Sequence, residues 1–110
     1  MLDVETMLAM QSALQERYRG WWEPIEPARG LNKLMWMIGE VGEVSQILKR
    51  KGADAVMNDP QVRADMVEEL CDVLMFFSDV LLCYGITAEE FERAYRAKHQ
   101  RNLSRWKAPE

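Results

Sequence analysis

Hydrophobic residues recur at intervals of three and four positions in four long stretches of the sequence. This spacing places them on one side of an α-helix, so it predicts four helices. The predicted helices cover Val4–Arg19, Leu31–Lys51, a third stretch that begins with Asp59 and Pro60 and ends at Gly85, and a fourth that begins at Thr87. Asp and Thr commonly cap helix N-termini, and Gly commonly follows the last helical turn, so these boundaries agree with the periodicity.

The same spacing identifies the hydrophobic positions expected to face a core. They are Leu34, Met35, Ile38, Val41, Ile47 and Leu48 on the second helix, and Val67, Leu70, Val73, Leu74, Phe77, Val80 and Leu81 on the third. The stretches GWWEPIEPARG and GADAVMND are predicted to be connections, the first because of its Pro and Gly content. No alternating run predicts a β-strand. We therefore predict one all-α domain over residues 1–110, built as a four-helix bundle.

Composition and charge agree with a folded protein that binds neither nucleic acid polymers nor membranes. Hydrophobic residues form 48% of the chain, and the net charge of -4 gives no basic field for tracking a duplex. The most apolar stretch, LCDVLMFFSDVLLCYGI, contains Asp72 and Asp79 and is too polar for a membrane span. The N-terminal MLDVETML lacks the basic residues of a secretory signal, so a cytoplasmic location is expected.

Paired carboxylates on two different helices carry the strongest chemical signal. Glu40 and Glu43 lie three residues apart on the second helix, and Glu69 and Asp72 repeat that spacing on the third. Each pair projects from one helix face within an apolar stripe. Four facing carboxylates would repel one another unless a hard divalent cation lay between them, and ligands that are all oxygen favour Mg²⁺ or Mn²⁺.

Two further features fit phosphate chemistry. Gly39 and Gly42 lack side chains on the second helix, which would let a neighbouring helix, a metal or a phosphate approach its backbone. On the fourth helix, a stripe of phosphate-binding residue types continues the line of its apolar anchors. This stripe consists of Lys98, Asn102 and Arg105.

The stretches IGEVGE, EELCDVL, YGIT and KHQRN, followed by Arg105, resemble the MazG-type all-α nucleoside triphosphate pyrophosphohydrolases in their order and spacing. The resemblance covers approximately residues 29–105. Members of that family bind Mg²⁺ and cleave nucleoside triphosphates between the α and β phosphates, releasing a nucleoside monophosphate and pyrophosphate. The resemblance implies that the metal ligands are Glu40, Glu43, Glu69 and Asp72, and that Lys98, Asn102 and Arg105 contact the substrate.

Several further roles follow from combining the resemblance with the chemistry of the residues. The stretch WWEPIEPARGL is similar to the base-side loop of small deoxynucleotide-specific members, and Trp22 is expected to hold the base. Glu43 is expected to accept the proton of the attacking water, and Asp79 to meet the sugar or an outer-shell water. The resemblance also implies a homodimer or homotetramer. Gly39 departs from the family, since many members carry Glu there.

Two other functions agree with parts of the pattern. One is that of the related phosphoribosyl-ATP pyrophosphohydrolase, although the paired Trp residues favour a free nucleotide base. The other is a non-catalytic dimerising helical module, which leaves four inward carboxylates without a purpose. A di-iron carboxylate bundle is excluded because its Glu-x-x-His pairs need more than the single histidine, His99.

Overall fold

The computed structural model of the chain describes residues 1–106 and is all-helical over that range, which confirms the predicted all-α class. It contains five α-helices instead of the four predicted, with no β-strand in the same residues. The helices are α1 (Val4–Arg17), α2 (Gly30–Lys51), α3 (Ala53–Asn58), α4 (Pro60–Cys83) and α5 (Ala88–Arg105), and a 3₁₀ turn covers Pro27–Arg29. The additional helix is the short α3, which occupies the connection GADAVMND.

Side-chain caps fix the beginnings of the long helices. The carboxylate of Asp3 accepts the backbone N–H of Thr6 at 2.8 Å, and the hydroxyl of Thr87 accepts that of Glu90 at 3.1 Å. Asp59 caps α4 in the same way. These bonds satisfy donors that have no partner inside the helix. The first helix ends two residues earlier than predicted, because the carbonyl of Tyr18 accepts N–H groups from the following tight turn.

The helices α2 and α4 pack against each other over most of their length and run antiparallel. Lys33 lies near Asp79, and the rings of Trp36 and Phe76 have centroids 5.9 Å apart. Further along α2, the carboxylate of Glu40 meets residues that come earlier on α4. This pairing brings the acidic positions of both helices to the same level, which is the condition for a shared site.

The core of the single chain is small. Its buried hydrophobic residues are Leu8, Val44, Val62, Leu81 and Cys83. Most of the predicted core positions on α2 are exposed instead: Leu34, Met35, Ile38, Val41 and Leu48. Val67, Leu70 and Leu74 on α4 are exposed as well. The prediction was wrong at these positions because both helices are apolar on more than one side, and periodicity alone does not show which side meets a neighbour.

The last helix packs on little of the described chain. It contacts α1, and the ring of Phe91 meets that of Phe77 edge-on at 5.4 Å. Every residue over 92–106 is exposed. Within residues 1–106 no single helix is both long and apolar enough to cross a membrane, although α4 and α5, bent by 111° relative to each other, are together long and apolar enough.

Candidate functional site

Three carboxylates converge where α2 crosses α4. Glu40 from α2 and Glu69 and Asp72 from α4 each offer an oxygen, and these oxygens lie within 4.8 Å of one another. All three residues are half-buried. The convergence follows from the helical repeat, because Glu69 and Asp72 lie on one face of α4 and antiparallel packing places Glu40 opposite them. The structure thus brings together three of the four predicted ligands.

Electrostatics at this cluster favour a cation. The pKa of Glu69 is raised, chiefly by a hydrogen bond that its protonated form makes to Glu40, and further by desolvation and by the negative charges of Glu40 and Asp72. Glu69 holds its proton more readily because ionising it would place a further negative charge beside its neighbours. A divalent cation would remove this repulsion, and the donor set, which is entirely oxygen, fits a hard ion such as Mg²⁺ or Mn²⁺.

Glu43 does not belong to this converging group. It is exposed, one turn after Glu40, and the two residues line a shallow cavity of about 510 Å³ together with Gly39 and Trp36. A Cβ atom at Gly39 or at Gly42 would meet no heavy atom within 4 Å. Close approach by a neighbouring helix of the described chain is therefore not the reason for these two glycines.

A second cavity, of about 400 Å³, begins at the carboxylate cluster. Asp72 lines it at one end, and aromatic rings form much of its wall. These rings belong to Trp21, Trp22, Trp36 and Phe76. Trp22 is held in place by Tyr18, since their rings stack with centroids 4.4 Å apart and planes inclined by 14°. This volume is typical of small-molecule sites, and the rings supply flat surfaces for a planar group.

The far end of this cavity is polar and almost fully buried. Asp79 is only 2% exposed, and its Oδ1 accepts hydrogen bonds from the amide nitrogens of Gln11 at 2.9 Å and Gln15 at 3.1 Å. Burial raises the pKa of Asp79, whereas the two amides and the nearby charge of Lys33 oppose the rise. Asp79 therefore orients two side chains of α1 toward the cavity that α2 and α4 enclose.

Lys33 anchors the tryptophan loop beside this cavity. Its ammonium donates a hydrogen bond to the carbonyl of Glu23 at 2.9 Å and lies 5.2 Å from the ring centre of Trp36. The carboxylate of Glu23 accepts from Arg29 at 2.9 Å and from Asn32 at 2.6 Å, and the pKa of Glu23 is lowered chiefly by the bond from Asn32. The loop is thus fixed by polar contacts at its base.

Sequence patterns had not identified Gln11, Gln15 or Lys33 as members of a site. A weak signal was present, since the two glutamines lie four residues apart and therefore share the face of α1 that also carries Val4 and Leu8. Lys33 gave no such signal, because a lysine at the beginning of a helix is ordinarily solvated.

The predicted substrate contacts on α5 are not brought to the cluster within one chain. Lys98, Asn102 and Arg105 are all exposed, and none of them lines either cavity at the carboxylates. A larger cavity of about 590 Å³ lies between Val4 of α1 and Tyr95 and His99 of α5, but its lining includes none of the three converging carboxylates. The chemistry is therefore concentrated at the α2–α4 crossing.

The oxygen-only cluster and the adjoining aromatic cavity together form the candidate functional site. Comparison with known proteins adds no relative: no family model matches the sequence, and neither a curated protein nor a solved structure matches it significantly.

Proposed function

We propose that this protein is a Mg²⁺-dependent nucleoside triphosphate pyrophosphohydrolase that releases a nucleoside monophosphate and pyrophosphate. One observation carries the proposal: Asp72 belongs both to the carboxylate cluster and to the wall of the aromatic cavity. A triphosphate at the cluster would thus have its nucleoside beside the tryptophan rings. The resemblance of IGEVGE and EELCDVL to the MazG-type enzymes supports the same reaction, and a role in nucleotide-pool house-cleaning would follow from it.

In this proposal the carboxylates bind the metal and act on the phosphates, and the aromatic cavity binds the nucleoside. Glu40, Glu69 and Asp72 would hold Mg²⁺, and Glu43 extends this ligand set at the open edge. A bound Mg²⁺ supplies charge neutralisation for phosphate oxygens and a water of lowered pKa. Glu43 accepts the proton as water oxygen attacks the α phosphorus, and the bond to the β-phosphate oxygen breaks with pyrophosphate as the leaving group.

The nucleoside end of the substrate belongs in the second cavity. Trp22 stacks on the base with the face that Tyr18 leaves uncovered, and Asp79 lies at the polar end of the same cavity. Aromatic stacking holds any base and so provides affinity without selecting one. Which base is preferred therefore depends on the polar groups.

Residues of a second copy are part of the proposed enzyme. Because α5 projects away from the carboxylates, Lys98, Asn102 and Arg105 would reach phosphate oxygens only from another chain. Arg in particular can bind two phosphate oxygens at once. We infer a homodimer or a dimer of dimers, in which such contacts complete each site.

The test is pyrophosphate release from all ribo- and deoxynucleoside triphosphates and dUTP, with and without Mg²⁺. We expect Mg²⁺-dependent release with at least one substrate. Glu69→Gln and Asp72→Asn should each reduce it by at least about 100-fold, since metal sites lose activity steeply even when only the supporting shell is altered. Glu68→Gln is the matched control, because Glu68 neighbours Glu69 but is exposed and outside the cluster. No release by folded protein would contradict the proposal.

The exposed apolar surface favours the second candidate, a non-catalytic dimerising module. The two functions differ in what neutralising the cluster should do. A module gains stability or is unchanged in Glu40→Gln and Glu69→Gln, because repulsion disappears and nothing is lost. An enzyme loses turnover in the same variants. Including phosphoribosyl-ATP in the substrate panel also tests the related pyrophosphohydrolase activity.

A further inference from the structure

The polar end of the aromatic cavity contains three hydrogen-bond acceptors that receive no hydrogen bond within residues 1–106. An ionised carboxylate can only accept hydrogen bonds, so the amide nitrogens of Gln11 and Gln15 must face Asp79, as the distances of 2.9 and 3.1 Å show. Each amide nitrogen then donates one of its two N–H groups to Oδ1. In residues 1–106 no group donates to the remaining oxygen of Asp79 or to the amide oxygens of Gln11 and Gln15.

None of these three oxygens is fully enclosed. Among the described residues, no fully enclosed side-chain nitrogen or oxygen lacks a hydrogen-bond partner. The oxygens without a donor are therefore accessible, although Asp79 is 2% exposed and Gln11 is 6% exposed. All three side chains line the same cavity, so its interior is where these oxygens can be reached. A ligand that donates hydrogen bonds would satisfy them.

The charged donor Lys33 lies beside these acceptors. Lys33 is 2% exposed, lines the cavity, and uses its ammonium for one hydrogen bond to a carbonyl of the tryptophan loop. An ammonium group has three N–H donors, so two remain for a ligand. The polar end therefore places several acceptors beside the charged donor Lys33. A ligand that fits it must present hydrogen-bond donors and an acceptor in matching positions.

We propose that Gln11, Gln15 and Asp79 make the site selective for adenine and cytosine nucleotides, whose amino group lies at the purine 6 or pyrimidine 4 position, over uracil and thymine, which carry a carbonyl oxygen at the pyrimidine 4 position. This inference rests on the proposed function for the placement of the phosphates. Adenine and cytosine present an amino donor next to a ring nitrogen acceptor. The amino group fits the oxygens of Asp79 and the glutamines, and the ring nitrogen fits Lys33.

At the position of the cytosine amino group, uracil and thymine carry a hydrogen-bond acceptor instead of a donor. They carry a carbonyl oxygen where cytosine carries its amino group, so an acceptor would face the acceptors of Asp79 and the glutamines. Cytosine and uracil otherwise stack alike and have nearly the same size. A site that is built to bind a donor discriminates strongly against an analogue without it, and we expect a preference of at least about tenfold in kcat/KM.

The experiment compares dCTP with dUTP and dATP with dTTP in steady-state hydrolysis. A second measurement follows tryptophan fluorescence during titration with dCMP and dUMP, which reports base binding without catalysis because three tryptophans line the cavity. Wild-type protein should prefer dCTP to dUTP and should bind dCMP more tightly than dUMP.

The critical variant is Asp79→Asn, which keeps the shape of the side chain. Its carbonyl oxygen can still accept from the two glutamines, and its amide nitrogen then replaces the free acceptor with a donor. The preference for dCTP over dUTP should disappear or invert. Asp54→Asn, an equal change at an exposed position on α3, should retain the wild-type preference. If Asp79→Asn does not fold, Gln15→Leu should lower the preference by removing one oxygen and loosening the carboxylate.

The outcomes separate this inference from the proposed function. Hydrolysis of dCTP and dUTP at equal rates, or a preference unchanged in Asp79→Asn, overturns the selectivity and leaves the enzyme class intact. Binding of dCMP over dUMP without any hydrolysis supports the selectivity and contradicts the pyrophosphohydrolase. Absence of binding for both monophosphates, with equal or absent turnover of the triphosphates, overturns the selectivity.

Discussion

The hydrogen bonds made by individual residues explain how a chain with so small a core can bury two charged side chains. The two largest fully buried side chains are those of Lys33 and Asp79. Burying a charge is costly unless it is paired or hydrogen-bonded, and here Gln11, Gln15 and a backbone carbonyl supply the hydrogen bonds. Such a network makes a small contribution to net stability but fixes the positions of its members, which is useful in a binding cavity.

The buried carboxyl group should leave a signature in the dependence of stability on pH. Because the pKa of Asp79 is raised above 3.8 by burial, the native protein binds this proton more readily than the unfolded chain. Its contribution to the free energy of unfolding is therefore present at acidic pH and is lost as the pH rises through the raised pKa. Asp79→Asn cannot titrate and should lack this loss.

The measurement is urea unfolding of wild type and Asp79→Asn over a series from acidic to neutral pH. Subtracting the two curves cancels the titration of the other groups. The stability of wild type relative to the variant should fall toward neutral pH. A relative stability that rises with pH would mean that the pKa of Asp79 is lowered in the folded protein.

At the scale of the helices, most boundaries could be predicted from sequence because each has a local cause. Asp3, Asp59 and Thr87 cap the helices that they precede, and Gly52 and Gly85 follow helix ends with the positive φ angles that favour glycine. The three-residue spacing likewise predicted that Glu40 and Glu43 share one face of α2 and that Glu69 and Asp72 share one face of α4. These features depend on neighbours within one helical turn.

Other features depend on residues far apart in the chain, and sequence patterns did not reveal them. Gly30 was expected only to bound a loop, yet it begins α2, and a side chain there would collide with the ring of Tyr84. Burial of Lys33 and Gln11 follows from the way in which α1, α2 and α4 close around one cavity. Periodicity shows that a face exists but gives no information on what covers it.

The cap of α4 gives a prediction at this scale. The carboxylate of Asp59 accepts N–H groups of Gln61 at 3.0 Å and Val62 at 3.4 Å. Asp59→Ala leaves these donors to solvent and should lower the free energy of unfolding by about 1 kcal/mol. Thermal or urea denaturation measures it, with Asp54→Ala as the control because no side-chain cap bond supports α3. Equal stability of Asp59→Ala and wild type would show that the cap contributes nothing.

A single chain is more extended and more exposed than a typical compact domain of its length. Its radius of gyration is 16.9 Å, whereas a compact domain of this length has about 13 Å. Its accessible surface is 8651 Å², compared with about 6,300 Å² for a typical monomer of its mass. The excess exceeds the roughly 800 Å² that each partner buries in a standard interface. We infer that association of several chains buries it.

One apolar face of the α2–α4 pair is suited to this association. It consists of Leu34, Ile38, Val41, Val67, Leu70 and Leu74, which are all exposed. The helical repeat and the antiparallel packing place these residues on the side opposite Glu43 and Asp72. A second copy could therefore cover the apolar face without blocking the carboxylates.

Ile38 gives the sharpest test of this face, since it is 51% exposed near the middle of α2. A glutamate there would be desolvated without a partner in an interface but would be harmless in a monomer. Ile38→Glu should therefore shift the mass in sedimentation equilibrium from oligomer toward monomer. Met57→Glu, an equal change on α3 outside the apolar face, should leave the mass unchanged. A monomeric wild type, or an Ile38→Glu oligomer of unchanged mass, would contradict the association.

Activity in mixed oligomers tests whether copies also share residues of one site. Glu69→Gln removes a cluster ligand and Arg105→Ala removes a cation of α5, so each variant alone should hydrolyse little substrate. If the two residues of a site come from different chains, then co-refolding equal amounts creates dimers with one intact site. Random pairing should restore about a quarter of wild-type activity, because half of the dimers are mixed and each has one intact site of two. If both residues of a site came from the same chain, every site would carry one substitution and no activity would return.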